Sequence, residues 1–250
     1  MKVAFVSEMA LLEPNLSIVK RLDVMYDLYY ITDCRQDIPN KFGIKKIRRG
    51  INRALDYEEM TRFSSFLNIK KTYLIYSLTN KKIFNAIKKA YDALRVVNKI
   101  SPDVILTDTT APFTILLFLF HYRKVVLLVH DPFPHSGYKK KWFIWFRNLV
   151  LRLIRNKVIF NSRQYEEFIR SYKLSPQDVF CSNLSTFEFM KIYEPCKMEK
   201  DGKFKILFWG IISEYKGIEY LCSAFEELVK QGYKDIELTI AGSGELYFDI

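Results

Sequence analysis

Short apolar runs rich in Val, Ile and Phe alternate with longer stretches of helical periodicity over most of this 250-residue chain. This alternation predicts a parallel β-sheet, because parallel strands are joined by helical crossovers. Such a sheet is covered on both faces, so its strands are apolar at nearly every position. The predicted strands are Val3–Ser7, Tyr26–Thr32, Val104–Thr107, Val125–Val129, Val158–Phe160 and Val179–Cys181. The predicted helices are Ala54–Phe66, Thr72–Lys99, Pro112–His121, Trp142–Ile154 and Arg163–Tyr172.

A charged, aperiodic segment interrupts the alternation near Pro195, Asp201 and Gly202, and a new strand–helix–strand pattern follows it. We therefore predict one complete α/β domain over residues 1–183, a connector over 184–203, and the start of a second domain over 204–250. A doubly wound domain usually needs about 100 residues, so we expect the chain to be truncated. The predicted elements of the second domain are the strand Phe204–Trp209, the loop Gly210–Tyr215, the helix Lys216–Lys230 and the strand Ile236–Ala241.

The net charge of +11 is distributed unevenly. Residues 184–250 carry 8 Lys, no Arg and 12 acidic residues, so the excess of base lies in residues 1–183. This asymmetry indicates an anionic partner for the first domain, for which nucleic acid, a membrane surface and an anionic lipid all qualify. The four cysteines form no C-x-x-C pair, which favours a reduced, cytosolic protein without a metal site.

The loop from Gly210 to Gly217 joins a predicted strand to a predicted helix, a position where free N–H groups and Lys216 suit a phosphate. A tight turn with a solvated lysine is about as probable on spacing alone. The loop resembles the one that opens the second domain of family-4 glycosyltransferases, which have the GT-B fold of two Rossmann-like domains. In that family the pattern is roughly Gly-Arg-x-x-x-x-Lys-Gly, and its cations hold the diphosphate of a nucleotide-sugar. Lys216 matches the lysine, whereas Ile211 stands in place of the arginine.

Two further segments carry the resemblance. Ala241-Gly242-Ser243-Gly244-Glu245 is similar to the family's second glycine loop, although an ordinary turn explains it alone. Val129-His130-Asp131-Pro132-Phe133-Pro134-His135-Ser136-Gly137 follows a central strand and is similar to the histidine motif that lines the family's sugar site. The resemblance implies donor binding by Gly210, Ser213, Lys216, Gly217, Gly242 and Gly244, and catalytic positioning by His130 and Asp131. It also implies no metal and no cofactor beyond the nucleotide-sugar co-substrate.

Asp108 follows the strand Val104–Thr107 and is expected at the same edge of the sheet as His130. It is a candidate for binding acceptor hydroxyls, and an N-cap for the helix from Pro112 is an equal alternative. The segment Glu8–Pro14 lacks the Gly-Gly pair that many family members have after their first strand, so a different acceptor is expected.

The segment Tyr138–Lys157 contains seven bases, no acid and an apolar stripe at helical spacing. A basic, tryptophan-rich helix is typical of proteins at an anionic membrane interface, and a core helix with a wet basic edge is the alternative. The candidate membrane contacts are Lys139, Lys140, Lys141, Trp142, Trp145, Arg147 and Arg152.

The sequence thus favours a glycosyltransferase that moves a sugar from a nucleotide-sugar to a glycan or lipid-linked acceptor. The resemblance implies a role in bacterial cell-surface polysaccharide synthesis, on the cytoplasmic face of the membrane. Nucleic acid is not expected as a partner, because the basic residues lie with Trp and Leu at amphipathic helix spacing rather than in a nucleic-acid motif. The alternatives are a nucleotide-sugar epimerase of the same fold and a non-catalytic membrane-binding or inactive truncated GT-B module.

Overall fold

A computed structural model describes residues 1–34, 41–76, 82–110, 112–133, 141–184, 188–192 and 201–244. Side chains within it are described except at positions 82, 83, 112, 141–143 and 192. The chain forms two compact units. The first comprises Met1–Phe133 and Trp142–Glu194, and the described part of the second is Lys141 with 201–244. The end of the first unit thus lies inside the predicted connector.

The first unit is built on an eight-stranded sheet in the order β3-β4-β2-β1-β5-β6-β7-β8. All neighbouring strands are parallel except the edge strand β3, which is antiparallel to β4. The predicted mainly parallel α/β architecture is therefore confirmed. The strands are β1 Lys2–Glu8, β2 Asp27–Cys34, β3 Gly50–Arg53, β4 Thr72–Tyr76, β5 Val104–Thr107, β6 Val125–Val129, β7 Asn156–Ile159 and β8 Val179–Cys181.

Helices cover both faces of this sheet. The connection from β1 to β2 leads toward the β3 edge of the sheet, whereas the connections from β4 onward lead toward the β8 edge. Because crossovers are right-handed, the first helix lies on the opposite face from the others, and two separate hydrophobic cores result. The helices are α1 Leu12–Met25, α2 Lys82–Ile100, α3 Ile115–His121, α4 Lys141–Leu153 and α5 Tyr165–Tyr172.

Two of the predicted helices are wrong. The segment from Thr72 begins with β4, and α2 starts only at Lys82. Thr72–Tyr76 is mostly β-branched and aromatic. It pairs with β2, and its side chains pack into both cores, Ile75 into one and Leu74 and Tyr76 into the other. Ala54–Phe66 forms two 3₁₀ turns, Ala54–Asp56 and Glu58–Phe63, instead of an α-helix.

The second unit is a strand–helix–strand unit, as predicted. It consists of β9 Phe204–Ile212, α6 Ile218–Lys230 and β10 Ile236–Gly244, and the two strands are parallel from the pair Phe204 and Ile236 onward. Both strands are three residues longer than predicted at their carboxyl ends. Consequently, Gly210 and Gly242 belong to strands rather than to the loops after them.

Candidate functional site

The sheet of the first unit brings three polar side chains together at the carboxyl ends of adjacent strands. Ser7 is the penultimate residue of β1, Asp108 follows β5, and His130 follows β6. The strand order reverses direction around β1 and β5, and ligands of open α/β sheets bind outside the strand ends at such a point. The fold therefore places these residues where a ligand is expected.

The Asp108 carboxylate accepts hydrogen bonds from two side chains, those of Ser7 and Asn15. Its Oδ2 atom accepts a hydrogen bond from Ser7 Oγ at 2.9 Å and another from Asn15 Nδ2. Asn15 lies on α1, and its amide also donates to Ser7 Oγ at 2.8 Å. Asp108 is therefore tied to β1 and α1, and the N-cap alternative for Asp108 stays a prediction.

His130 completes the cluster from the side of β6. Its Nε2 atom lies 3.9 Å from Asp108 Oδ2, which is longer than a hydrogen bond. The ring packs on Phe160 with centroids 5.0 Å apart. The side chain of His130 is 16% exposed and that of Asp108 is fully buried, so the imidazole is the more exposed member of the pair, although its Nε2 atom is buried.

Three buried polar atoms of this cluster have no hydrogen-bond partner: Asn15 Oδ1, Asp108 Oδ1 and His130 Nε2. An unpaired buried polar atom typically costs about 1–3 kcal/mol, and such atoms are uncommon in folded proteins. Two of the three are acceptors, so the set is suited to the hydroxyl groups of a sugar or to ordered water. Unpaired groups of this kind are common at functional sites.

Tyr30 of β2 lies below the cluster and is 2% exposed. Burial raises the pKa of its phenol well above the usual value of 10.0, and the neighbouring Asp108 carboxylate raises it further. Its hydroxyl makes no hydrogen bond of acceptable geometry. The phenol is therefore neutral, and it fills space beneath the cluster.

Asp131, the second predicted catalytic residue, is exposed, and the carboxylate that faces the His130 imidazole is that of Asp108. The backbone carbonyl of Asp131 accepts a hydrogen bond from Arg147 on α4 at 2.6 Å. The structure thus brings His130 together with Asp108, Ser7 and Asn15. Ser7 and Asn15 were missed from the sequence because neither lies in a motif.

In the second unit, Lys216 ends the 3₁₀ turn Glu214–Lys216 and is exposed, with its ammonium group 4.9 Å from the ring centre of Tyr215. Gly217 follows in the left-handed conformation, with φ of 63°, and precedes the first turn of α6. Ser213 Oγ is buried without a hydrogen-bond partner. Ser213, Lys216 and Gly217 therefore lie together before the amino end of a 13-residue helix.

The glycines of β10 have a structural explanation. A Cβ atom on Gly242 would overlap the carbonyl oxygen of Gly210 on β9, and one on Gly244 would overlap that of Ile212. The predicted placement of Gly242 and Gly244 in a loop after the strand is therefore wrong: both lie in β10, where the close approach of β9 excludes a side chain. Donor binding by these two glycines stays a prediction.

The predicted membrane contacts divide into three groups. Lys139 and Lys140 lie outside the described residues, and Lys141 and Trp142 belong to α4 without described side chains. Trp145 is 67% exposed and Arg152 is also exposed, whereas Arg147 bonds within the first unit. Leu149 and Leu153 are half-exposed at the next helical turns, so α4 presents an apolar stripe that the core does not use. Within the described ranges, no helix has the length and hydropathy needed to cross a bilayer.

No protein-family model matches this chain, and no curated protein sequence matches it. Solved structures do match it in fold. UDP-N-acetylglucosamine 2-epimerase from Rickettsia bellii superposes with a TM-score of 0.62 at 12% identity, covering 98% of this chain and 62% of that protein. The UDP-GlcNAc 2-epimerase from Neisseria meningitidis, in complex with UDP-GlcNAc, gives 0.63 at 14% identity, covering 97% and 66%. A glycosyltransferase from Rickettsia africae ESF-5 gives 0.53 at 12% identity, covering 96% and 68%.

These likenesses show a GT-B-like fold, shared by glycosyltransferases and UDP-GlcNAc 2-epimerases. At identities of 12–14% they show the fold alone. The chain spans slightly less than two thirds of the length of the two epimerases. The activity therefore has to be argued from the residues of the site.

Proposed function

We propose that this chain is a nucleotide-sugar-dependent glycosyltransferase, in which the first unit binds the acceptor and the second binds the donor. The observation that carries the proposal is the Ser7–Asn15–Asp108–His130 cluster, at the carboxyl ends of the central strands of a GT-B-like sheet. Its buried oxygen atoms and its partly exposed imidazole suit a polyhydroxylated ligand better than an apolar or a strongly anionic one.

In the proposed reaction the bond between the sugar's anomeric carbon and the donor diphosphate breaks, and an acceptor oxygen bonds to that carbon. The acceptor hydroxyl loses its proton, and a nucleoside diphosphate leaves. His130 contacts the transferred sugar or the reacting hydroxyl, and Asp108 orients the imidazole from its buried position. Charge that develops on the leaving diphosphate requires cations or backbone N–H groups.

Lys216 and the amino end of α6 meet that requirement in the second unit. The lysine supplies a full positive charge, and the first turn of the helix supplies free N–H groups with a partial positive charge. Gly217 adopts the left-handed conformation between them, which glycine allows without steric cost. No metal ion is required by this arrangement, since the lysine and the helix share the negative charge.

We further propose that the acceptor is a glycan or is linked to a lipid, and that the protein works at the cytoplasmic face of a bacterial membrane in polysaccharide synthesis. The support is the exposed apolar stripe of α4, flanked by the bases of a segment that contains no acid. The stripe suits the interfacial region of a bilayer, and the bases suit its anionic head groups.

The test uses the full 250-residue chain, with nucleotide binding and sugar transfer measured separately. UDP- and GDP-sugars are screened by thermal shift, and a labelled donor that binds is then incubated with membrane lipid and glycan extracts. We expect Lys216→Ala to weaken donor binding about tenfold or more, because it removes the cation beside the diphosphate. Lys234→Ala, at an exposed lysine of the same unit, is the matched control and is expected to bind the donor normally.

His130→Ala is expected to keep donor binding and lose transfer. If no nucleotide-sugar stabilises the chain, the donor-binding proposal fails and the non-catalytic module becomes the better description. If the chain converts UDP-GlcNAc into its epimer in the absence of an acceptor, the protein is an epimerase rather than a glycosyltransferase. Product analysis by chromatography and NMR distinguishes these outcomes.

A further inference from the structure

The guanidinium group of Arg147 connects three parts of the first unit. From the middle of α4, its Nη2 atom donates to the carbonyl oxygens of Asp131 at 2.6 Å and Pro132 at 2.9 Å. Its Nη1 atom donates to the hydroxyl of Tyr172 on α5 at 2.8 Å. The guanidinium carbon also lies 5.8 Å from the centre of the Tyr172 ring. Arg147 therefore points inward, unlike the exposed Trp145 of the same helix.

Phe133 provides a second attachment for the segment 131–133, whose carbonyl groups Arg147 binds. The Phe133 ring stacks on Tyr172 with centroids 6.1 Å apart, and it meets Phe168 edge-on at 6.4 Å. Phe168 and Tyr172 are both buried in the core beneath α5. The three residues after His130 are therefore attached to α5 by an aromatic stack on one side and by a guanidinium on the other.

These attachments bear directly on His130, because Asp131 and Pro132 are its immediate successors in the chain. Pro132 has no N–H group and its φ is restricted, and the carbonyl oxygens of Asp131 and Pro132 both accept hydrogen bonds from Arg147. The His130 ring lies 5.0 Å from the Phe160 ring and 3.9 Å from Asp108 Oδ2. A change of direction at Asp131 moves the imidazole relative to both.

We propose that Arg147 is a positioning residue for His130: it fixes the backbone that follows the imidazole and so sets the distance between His130 and Asp108. Its catalytic consequence rests on the proposed function. A guanidinium is suited to this role because its planar donors reach several acceptors at once, whereas the single ammonium of lysine cannot reproduce that fork. Charge alone is therefore insufficient at this position.

The first measurement does not depend on catalysis. The chain contains three histidines, and the ring signals of His130 are identified by their loss in His130→Gln, with NMR of the full chain labelled at histidine. We expect Arg147→Ala and Arg147→Lys to shift the His130 ring signals. Arg163→Ala, at an exposed arginine of the same unit, is the control that leaves them in place. Tyr172→Phe removes one acceptor only, and we expect a smaller shift.

The second measurement applies once a transfer reaction has been found. We expect Arg147→Ala to lower kcat about ten- to hundredfold, the range for a catalytic group misplaced by about 1 Å, with the KM for the donor unchanged. Millimolar guanidinium ion is expected to restore part of the lost kcat. A mere loss of stability would lower the melting temperature without such rescue.

Shifted His130 signals in Arg147→Ala and Arg147→Lys support the proposal. Unshifted signals in a folded variant whose melting temperature has fallen overturn it, because Arg147 then only stabilises the fold. If Arg147→Ala does not fold, Arg147→Lys and Tyr172→Phe decide the question by the same signals. If the chain transfers no sugar, the NMR result still stands, so failure of the proposed function is distinguishable from failure of the positioning role.

Discussion

The Asp108 carboxylate and the His130 imidazole face each other with Oδ2 and Nε2 3.9 Å apart, on the ends of adjacent parallel strands. A hydrogen bond between them requires about 2.7–3.2 Å, so a movement of about 1 Å would form it. Hydrogen bonds at catalytic sites are often long without a ligand and shorten in the complex. The cluster is therefore arranged so that substrate binding can tighten it.

Asp108→Asn is expected to reduce both stability and transfer. The new amide would direct an N–H₂ group or a weaker acceptor at Ser7 Oγ and Asn15 Nδ2, which both donate to the native carboxylate. Mispaired buried groups of this kind cost about 1–3 kcal/mol. The measurement is denaturant unfolding of the first unit, with turnover assayed in parallel. Asp56→Asn, at an exposed carboxylate, is the control, and equal stability of the two variants would contradict the role of Asp108.

Tyr30→Phe is expected to be neutral or up to about 1 kcal/mol stabilising at pH 7, because the hydroxyl that it removes is buried without a partner. The larger effect is at alkaline pH. Burial raises the pKa of the folded-state phenol above 10.0, so above pH 10 the unfolded chain releases a proton that the folded chain keeps. The free energy of unfolding of the wild-type chain therefore falls as the pH rises from 10 to the folded-state pKa of Tyr30.

Removing this group makes the alkaline loss of stability less steep. Per unit of pH above 10, we expect Tyr30→Phe to gain up to about 1.4 kcal/mol relative to the wild-type chain. Urea unfolding at several pH values from 8 to 11 gives the comparison. Tyr91→Phe changes an exposed tyrosine and should follow the wild-type curve. Parallel curves for Tyr30→Phe and the wild type would show that the phenol titrates normally.

Lys89 and Asp33 form a buried ion pair, with Nζ and Oδ2 2.5 Å apart, that joins α2 to the end of β2. Lys89→Met leaves the Asp33 charge buried, and we expect a loss of about 3–5 kcal/mol. The double variant Lys89→Met with Asp33→Asn should recover part of it, because the uncompensated charge is gone. At the half-exposed pair Lys71–Asp27, 2.7 Å apart, Lys71→Met should cost less than about 1 kcal/mol. Equal costs at the two sites would refute the distinction between buried and surface pairs.

Gly242→Ala is expected to open the carboxyl end of the β9–β10 ladder, since the added methyl overlaps the carbonyl oxygen of Gly210. Hydrogen exchange followed by mass spectrometry should show faster exchange in both strands, and donor binding should weaken with it. Ser243→Ala, at an exposed position of the same strand, adds no atom to the ladder and should leave exchange of the two strands unchanged. Unchanged exchange in Gly242→Ala would mean that the two strands accommodate the methyl group without opening, which would contradict the prediction.

Trp145→Glu is expected to lower binding to anionic vesicles several-fold, because it places a negative charge on the exposed stripe of α4. Co-sedimentation with vesicles containing phosphatidylglycerol, against vesicles of phosphatidylcholine alone, measures it. Val24→Glu is the matched control: Val24 is 84% exposed on α1, on the opposite face of the sheet. If the wild-type chain shows no preference for anionic vesicles, the membrane proposal fails.

Most of the central sheet could be predicted because buried parallel strands are apolar at nearly every position. β5, β6 and β8 have the predicted bounds. The pattern of Thr72–Tyr76 predicts a helix, because its apolar residues fit the helical period as well as the strand period. They also continue the apolar pattern of α2. The helix α1 was not predicted, although Pro14 lies in its first turn, where proline is tolerated.

The site could be predicted only where it depends on strand ends. His130 and Asp108 both follow strands of one parallel sheet, which was sufficient to place them at the same edge. Asn15 reaches Asp108 from α1, and Arg147 turns inward from a helix that was expected to face a membrane. Both contacts depend on the rotation of a helix about its axis, and the sequence pattern of a helix with several apolar faces does not determine that rotation.

The two outermost strands of the sheet are short. β3 has four residues and β8 has three, so each outer edge exposes only a brief row of unpaired backbone groups. Long exposed edges allow strands of another molecule to add and so lead to aggregation. Because both edge strands are short, the first unit can contain long, strongly apolar central strands and still resist edge-to-edge association at high concentration.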